Sequence, residues 1–239
     1  MYYMRLVFML LFFLLGIFSS VAQDKKQQQN AIPNVVDSLY REDQFYIGLS
    51  FNLISNKPSS FSQNGFSGGL HMGFIRDMPV NKRRNLAIGV GLGVSTNTYN
   101  SNLFIGEEAS GETIFSIIDD SNNVDRNRLN TNLIEMPIQL RWRTSTPTNN
   151  SFWRIYAGVK LSYIYSYKAK FKSADTSIIK ADIPELNRLR YAATLTLGNG
   201  SFNAFVQYDL INLFNKDALI DNQRVDLQPL KFGVEFYIL

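Results

Sequence analysis

Few side chains in this sequence of 239 residues have the types and spacing that catalysis or metal binding requires. His71 is the only histidine, and a histidine that acts as a base needs a nucleophile and an orienting group within hydrogen-bond reach. The residues two positions away on either side, Gly69 and Gly73, carry no side chain. We therefore interpret His71 as a structural residue. The chain has no cysteine, which excludes disulfides, thiolate metal sites and cysteine nucleophiles.

One acidic stretch has oxygen-bearing side chains at alternate positions, as the start of a calcium-binding loop does: Asp119, Ser121, Asn123 and Asp125. Val124 stands where that loop has glycine, and Asn130 stands where it has its closing glutamate. We therefore interpret the stretch as a solvated surface loop and expect neither metal nor cofactor. The sequence shows no phosphate loop or zinc spacing, and its net charge of +4 is not gathered in a basic block, so we expect no nucleic-acid partner.

The first 22 residues predict a secretory signal peptide. Arg5 supplies a positive charge, residues 6–18 are apolar, and small residues lead up to Ala22, so we expect cleavage between Ala22 and Gln23. A transmembrane anchor is the alternative, but a helix needs about 20 apolar residues to cross a bilayer and this run has 13. The polar residues 23–43 are interpreted as a periplasmic lead-in segment with little structure.

From Gln44 onward, apolar and polar residues alternate with a period of two, which is typical of strands with two different faces. Eight segments show the alternation: 45–53, 66–74, 86–95, 134–143, 153–163, 189–197, 202–210 and 230–238. Their lengths are close to the ~9–11 residues with which a tilted strand crosses a bilayer. The sequence therefore predicts an all-β fold for residues 44–239, an eight-stranded antiparallel transmembrane β-barrel of the outer-membrane type.

A soluble β-sandwich is the alternative fold, because its strands also alternate. Sandwich strands are typically about 5–6 residues long, which is shorter than these segments. In addition, short connections such as 198–200 alternate with long ones such as 100–128 and 168–187. Outer-membrane barrels combine short periplasmic turns with long surface loops, so we expect both termini in the periplasm.

Aromatic residues stand near the segment ends, as the interfacial girdles of a membrane barrel require. We expect Trp142 and Trp153 at one membrane interface. We expect Tyr163, Tyr165 and Tyr167 at the other.

Charged residues of both signs share the inward face of the predicted barrel: Glu135, Arg141, Arg143, Arg154, Lys160, Arg190, Asp209, Lys231 and Glu235. An eight-stranded barrel is just wide enough for side chains to fill it, and charges removed from water need partners. We therefore expect a buried ion-pair network that plugs the lumen. A pore lined by basic residues is the alternative.

Four stretches resemble the PorT (SprT) family of Bacteroidetes outer-membrane barrels: 43–49, 74–82, 133–141 and 229–239. The segment Glu135-Met136-Pro137 is similar to a strand shared widely by porin-like barrels of that phylum. The turn Arg76-Asp77-Met78-Pro79-Val80-Asn81-Lys82 is more specific to the PorT family. The resemblance covers essentially the whole mature chain.

The resemblance implies a non-enzymatic component or accessory of the type IX protein secretion system, needed also for gliding motility in gliding bacteria. Its implied partners are outer-membrane lipid and secretion components in the outer membrane or periplasm. A periplasmic turn and the long surface loops are the candidate contact regions, although an ordinary solvated turn also explains the former. The turn residues are Arg76, Asp77, Met78, Pro79, Lys82, Arg83 and Arg84. The alternatives are a general porin-like or membrane-stabilising barrel and, less favoured, a lipid-modifying barrel enzyme.

Overall fold

The computed structural model describes residues 43–58, 60–108, 110–118, 124–144 and 153–238. The predicted signal peptide, its cleavage site between Ala22 and Gln23, and the lead-in segment up to residue 42 lie outside these ranges. No helix within them is long and apolar enough to cross a membrane.

Within the described ranges the chain forms 13 β-strands, eight of which are long enough to make a wall. The wall strands are β1 (Gln44–Ser55), β2 (Gly68–Pro79), β3 (Leu86–Asn100), β6 (Val124–Arg143), β7 (Trp153–Ser173), β9 (Leu189–Asn199), β10 (Phe202–Asp209) and β13 (Gln228–Ile238). The five short strands are β4 (Leu103–Glu107), β5 (Thr113–Ile117), β8 (Ser177–Lys180), β11 (Leu219–Ile220) and β12 (Gln223–Arg224).

The wall strands pair in a closed antiparallel circle, in the order β1, β2, β3, β6, β7, β9, β10 and β13. β13 returns to β1 from Ser55↔Gln228 to Phe45↔Ile238. Closure matters in hydrocarbon because lipid offers no hydrogen-bond partner to an open strand edge. The predicted eight-stranded antiparallel barrel is confirmed, and apart from residues 66, 67 and 210 each predicted segment lies on its own wall strand.

The period-two pattern separates an inward face from an outward face on each wall strand. On β10, Asn203, Phe205, Gln207 and Asp209 are buried in the interior, whereas the residues between them are exposed on the outside. The outward positions of the wall are mainly aliphatic and aromatic. Such a surface is typical of a lipid-facing wall.

The two ends of the barrel differ in their connections. The short-turn end carries the turns at 80–85 and 200–201 together with residues 43 and 238, at the two ends of the described barrel. The long-loop end carries the connections 56–67, 101–123, 174–188 and 210–227.

Two strands at the long-loop end are longer than the sequence pattern predicts. We expected residues 100–128 and 168–187 to be loops, but β6 begins at Val124 and β7 continues to Ser173. These extensions pair with each other, and β8 adds a further strand to β7. The loops also fold into the hairpins β4–β5 and β11–β12.

A β-bulge interrupts the pairing of the two longest strands. Leu133 pairs with Ile164, while the preceding Asn132 pairs with Ser166, so Tyr165 has no partner residue on β6. An extra residue shifts the alternation by one position. Below the bulge Ile164 faces inward, and above it the inward residues are Tyr167 and Ala169.

Candidate functional site

The structure places all nine charged residues of the predicted lumen network in the interior: Glu135, Arg141, Arg143, Arg154, Lys160, Arg190, Asp209, Lys231 and Glu235. Each lies at an inward position of a wall strand, as the period-two pattern requires. The contacts that they make divide the lumen into layers between the short-turn end and the long-loop end.

The layer at the short-turn end is centred on a carboxylate that the sequence analysis assigned to a turn. Asp77 Oδ1 accepts hydrogen bonds from Arg141 (2.9 Å) and Arg143 (2.8 Å). Arg141 also donates to Gln44 and lies 4.2 Å from the ring centroid of Tyr156. Because these side chains are buried, the layer fills this end of the lumen with charge-assisted contacts.

In the middle layer, Glu135 pairs with Lys160 at 3.2 Å and accepts a hydrogen bond of 2.7 Å from Ser95. Lys231 is buried on β13, in register with Asn52 of β1 and Gln207 of β10. These groups come from six different wall strands, so they surround the lumen rather than line one side of it.

His71 lies in the same region and pairs with an inward carboxylate. Its Nε2 is 3.0 Å from Glu235 Oε1, and Tyr237 donates a hydrogen bond of 2.8 Å to the other oxygen. Phe205 packs edge-on against the imidazole ring with centroids 4.9 Å apart. Within the described part of the chain, no serine or threonine hydroxyl hydrogen-bonds to His71. The geometry is that of a buried polar contact held by aromatic packing.

The uppermost pair of the predicted lumen network lies where β9 and β10 approach the long-loop end. Arg190 donates two hydrogen bonds to Asp209 Oδ2, of 2.9 and 2.6 Å, and Gln207 donates one of 3.0 Å to Oδ1. Arg190 also donates to the carbonyl oxygens of Ile211 and Asn212. It thereby ties the loop that follows β10 to the wall.

Above this layer, an apolar cluster, called the loop core below, fills the barrel mouth. It joins inward residues of the wall to residues of the long loops: Ile54, Phe61, Tyr99, Leu103, Ile105, Phe115, Leu129, Leu133, Ile164, Tyr167, Ala169, Ile183, Leu186, Leu213, Phe214, Ala218, Val225 and Leu227. A void of about 20 Å³ beside Ile54 and Phe61 has room for about one water. The lumen is therefore filled by charges below and by hydrocarbon above.

The loop core is the part of the site that the sequence analysis missed. The sequence feature that could have predicted the loop core is the presence of apolar pairs in the loops, such as Leu213-Phe214. Such short runs lack the periodicity of a long strand, and the long surface loops were interpreted as candidate contact regions. The structure shows Phe214 packed against Phe115 with ring centroids 5.2 Å apart.

The predicted aromatic girdles are present with one exception. Trp142 and Trp153 are exposed on the outside near the short-turn end, and Tyr163 and Tyr165 are exposed near the long-loop end. The prediction for Tyr167 was wrong, because the bulge turns it inward, where it is 7% exposed.

Arg188 bridges the tyrosines near the long-loop end. It donates a hydrogen bond of 2.8 Å to the Tyr167 hydroxyl. Hydrogen bonds to the hydroxyls of Tyr163 and Tyr167 raise the pKa of Arg188 above its usual value.

The candidate partner turn is only partly a turn. β2 includes Arg76, Asp77, Met78 and Pro79. Arg76 and Met78 face outward, but the Asp77 side chain is fully buried in the lumen. Asp77 is therefore inaccessible to a partner, and its inclusion in an exposed contact surface was wrong.

The turn itself is ordered by hydrogen bonds. Val80 N–H donates to the carbonyl of Leu86 (2.9 Å), and Arg84 N–H donates to that of Asn81 (3.0 Å). Lys82 and Arg83 are exposed at its tip. Arg84 has a φ of 54°, in the left-handed region that few non-glycine residues occupy. The turn therefore presents two cations on a defined backbone.

The calcium-like stretch is described only at its end. Asp119, Ser121 and Asn123 lie outside the described residues, whereas Asp125 lies on β6, 3.7 Å from Lys172. In the described ranges, no three His, Cys, Asp or Glu side chains are grouped as metal ligands.

Comparison with known proteins gives a matching family and similar solved structures. The model of a family described as outer membrane protein beta-barrel domain matches residues 21–215, which include every wall strand except β13. No curated protein matches the chain. Ail, the attachment invasion locus protein of Yersinia pestis, is similar in its complex with the heparin analogue sucrose octasulfate, with 12% identity and a TM-score of 0.36 over 83% of this chain and 99% of Ail. A second Ail structure gives 13% identity and a TM-score of 0.37 over 82% and 97%.

Proposed function

Since the chain belongs to the family of outer membrane protein β-barrel domains, we propose that this outer-membrane barrel is a non-enzymatic accessory of a protein secretion machine. It acts through contacts between its outer surfaces and other proteins. Outer-membrane lipid surrounds its wall.

The filled lumen is the observation that carries this proposal. The ion pair between Glu135 and Lys160 lies in the middle of the barrel, and the loop core fills the mouth above it. An eight-stranded barrel has no room for a channel beside such side chains. A barrel without a free passage works through its surfaces.

The machine that we propose is the type IX secretion system, and its components in the outer membrane or periplasm are the proposed partners. The support is the resemblance of residues 74–82 and 133–141 to the PorT family. In a gliding bacterium, the same role extends to gliding motility. The exposed basic tip of the turn, Lys82 and Arg83, is the proposed contact at the short-turn end.

Deletion of the gene tests the role in secretion. We expect proteins with the type IX C-terminal signal to remain in the periplasm of the deletion strain and to be exported again when the gene is restored. Outer-membrane permeability to small solutes should stay near normal, since the barrel is not a pore. Normal export in the deletion strain would contradict the proposal.

A general porin-like barrel is the main alternative to the secretion accessory. A measurement of ion conductance distinguishes between these two functions. We expect purified protein in planar bilayers to show no steady ion conductance, because the loop core and the charged layers fill the lumen. Stable channels together with normal secretion in the deletion strain would favour the porin.

The absence of catalysis is also a proposal, and His71 is the residue that tests it. His71 contacts Glu235 and Phe205 inside the barrel. We expect His71→Gln to leave the lipid composition of the membrane unchanged. An altered lipid profile in this variant would favour the lipid-modifying enzyme.

We propose further that both termini face the periplasm and that the long-loop end faces the cell exterior. The chain has no cysteine, so single cysteines report orientation directly. A membrane-impermeant maleimide added to intact cells should label Asp217→Cys, in a long loop, and should spare Lys82→Cys, at the short-turn end. The reverse pattern would overturn this orientation.

A further inference from the structure

A row of basic side chains lies on the outside of the wall at the long-loop end, where the proposed function does not use it. This basic face consists of Arg126, Arg128, Lys168, Lys170 and Lys172 on the extensions of β6 and β7. The adjoining residues Leu129 and Ala169 are buried in the loop core. The five residues therefore lie at outward positions of the wall, where Arg126, Lys168 and Lys172 are exposed and Arg128 and Lys170 are half-buried.

The strand register puts like charges directly opposite each other. Arg126 pairs with Lys172, and Arg128 pairs with Lys170. Like charges at opposite positions destabilise a sheet. In the described part of the chain Asp125 contacts this row, at 3.7 Å from Lys172, with both side chains more than half exposed. Within the described residues no other carboxylate pairs with the basic face.

The bulge at Tyr165 creates this arrangement. Below it, odd-numbered residues of β7 such as Tyr163 face outward, and above it Lys168, Lys170 and Lys172 do so. A regular strand would have turned the lysines into the loop core and Tyr167 outward. One extra residue therefore puts three cations on the outer surface.

The position of the basic face relative to the membrane can be derived from the two aromatic girdles. Ten steps separate Trp153 from Tyr163 on β7. At about 3.3 Å a step and a strand tilt of about 40°, they span about 25 Å, the usual height of an apolar band. Lys168 follows Tyr165 by three residues. The basic face thus begins at the level of the lipid headgroups and projects sideways toward them.

We propose that the basic face binds the phosphate groups of anionic lipid in the leaflet at the long-loop end. Guanidinium and ammonium groups both bind phosphate, and a bound anion offsets the repulsion across the two strands. Membrane lipid is the occupant favoured by position, since the cations continue the lipid-facing wall directly above Tyr163 and Tyr165. An acidic protein segment is the competing occupant.

Removal of the central opposed pair tests the proposal. The full chain with Arg128→Gln and Lys170→Gln, purified in neutral detergent, is titrated with lipid A, with phosphatidylcholine and with inorganic phosphate. We expect the wild-type protein to prefer lipid A, and we expect the double variant to bind it about tenfold more weakly, given the attraction of each cation to an anionic surface. Inorganic phosphate should not compete at millimolar concentration.

The matched control removes two cations from the same end without touching the wall. Lys57 and Lys216 are exposed in the loops, so Lys57→Gln with Lys216→Gln changes net charge equally and should keep wild-type affinity for lipid A. Equal affinity of the Arg128/Lys170 variant and the wild-type protein would overturn the proposal. Equal losses in both double variants would also overturn it, because the effect would then be one of net charge.

The unfolding temperature gives a second readout, because the effect of the substitutions on it should differ between neutral and anionic vesicles. In phosphatidylcholine vesicles the Arg128/Lys170 variant should unfold at the same temperature as the wild-type protein or higher, because repulsion is relieved. Added phosphatidylglycerol should raise the unfolding temperature of the wild-type protein and not that of the variant. A variant that keeps full lipid affinity but loses secretion in cells would assign the basic face to an acidic protein segment and overturn the lipid proposal.

Discussion

Arg141 donates a hydrogen bond of 2.9 Å to Asp77 inside the lumen, although β3 lies between the strands that carry them. The contact is possible because β3 places Gly89 opposite Asp77. A Cβ at Gly89 would come within 2.6 Å of Arg141 Cδ. The small residue on the middle strand therefore lets two charges meet across it.

The first prediction concerns this contact. Asp77→Asn removes the carboxylate that Arg141 and Arg143 share. Removing one partner of a buried pair leaves an uncompensated charge and costs about 3–5 kcal/mol. We expect a decrease of about 3 kcal/mol in the free energy of unfolding, measured by urea titration in lipid vesicles.

The same substitution at an exposed aspartate is the control. Asp217 lies in a long loop with its side chain exposed, so Asp217→Asn should change the free energy of unfolding by less than about 0.5 kcal/mol. Equal stability of the two variants would mean that the buried carboxylate does not hold the layer together.

The second prediction separates the loop core from the wall. Phe214 is 2% exposed and packs on Phe115. We therefore expect Phe214→Ala to destabilise the loop core by about 3–5 kcal/mol. The wall does not depend on this side chain. We expect protease to cleave the loops faster than in the wild-type protein. The barrel in the membrane should stay folded, as measured by its heat-dependent gel mobility.

Phe66→Ala is the matched control, because Phe66 is at the same end but is 73% exposed. Its cleavage rate should equal that of the wild-type protein. If Phe214→Ala were cleaved no faster than Phe66→Ala, the loops would not be held by the core.

The third prediction uses the bulge. Deletion of Tyr165 leaves Ile164, Ser166 and Tyr167 in regular alternation, because Tyr165 has no partner residue on β6. The barrel should fold. Deletion of Gly158, which pairs with Gln139, instead reverses the faces of the residues that follow it, including Lys160, and should prevent folding. Assembly in vesicles, followed by gel mobility, compares the two, and equal failure would contradict the assignment of the bulge.

The wall could be predicted from the sequence because each spanning strand repeats one rule many times. Residues 86–95, for example, alternate aliphatic residues with glycine, alanine and serine, and only a two-faced strand uses such a pattern. The inward charges followed from the same alternation. Their pairing did not, because contacts such as Arg141 to Asp77 depend on which strands face each other across the lumen.

The long-loop end could not be predicted in the same way. A bulge changes the faces by one residue, and Tyr163, Tyr165 and Tyr167 alternate in the sequence as though the strand were regular. The loop core combines residues as distant as Phe61 and Leu227, and its short strands are stabilised by tertiary packing rather than by a local pattern.

The proposal that this filled barrel serves a secretion machine is tested most directly by what it binds in its own membrane. The tagged full chain is purified from mild-detergent extracts, beside an unrelated small outer-membrane barrel with the same tag, and the proteins recovered with each are quantified by mass spectrometry. We expect a large translocon barrel of the type IX system to be enriched with this chain alone. Recovery of that translocon at the same level with both baits would contradict the proposal.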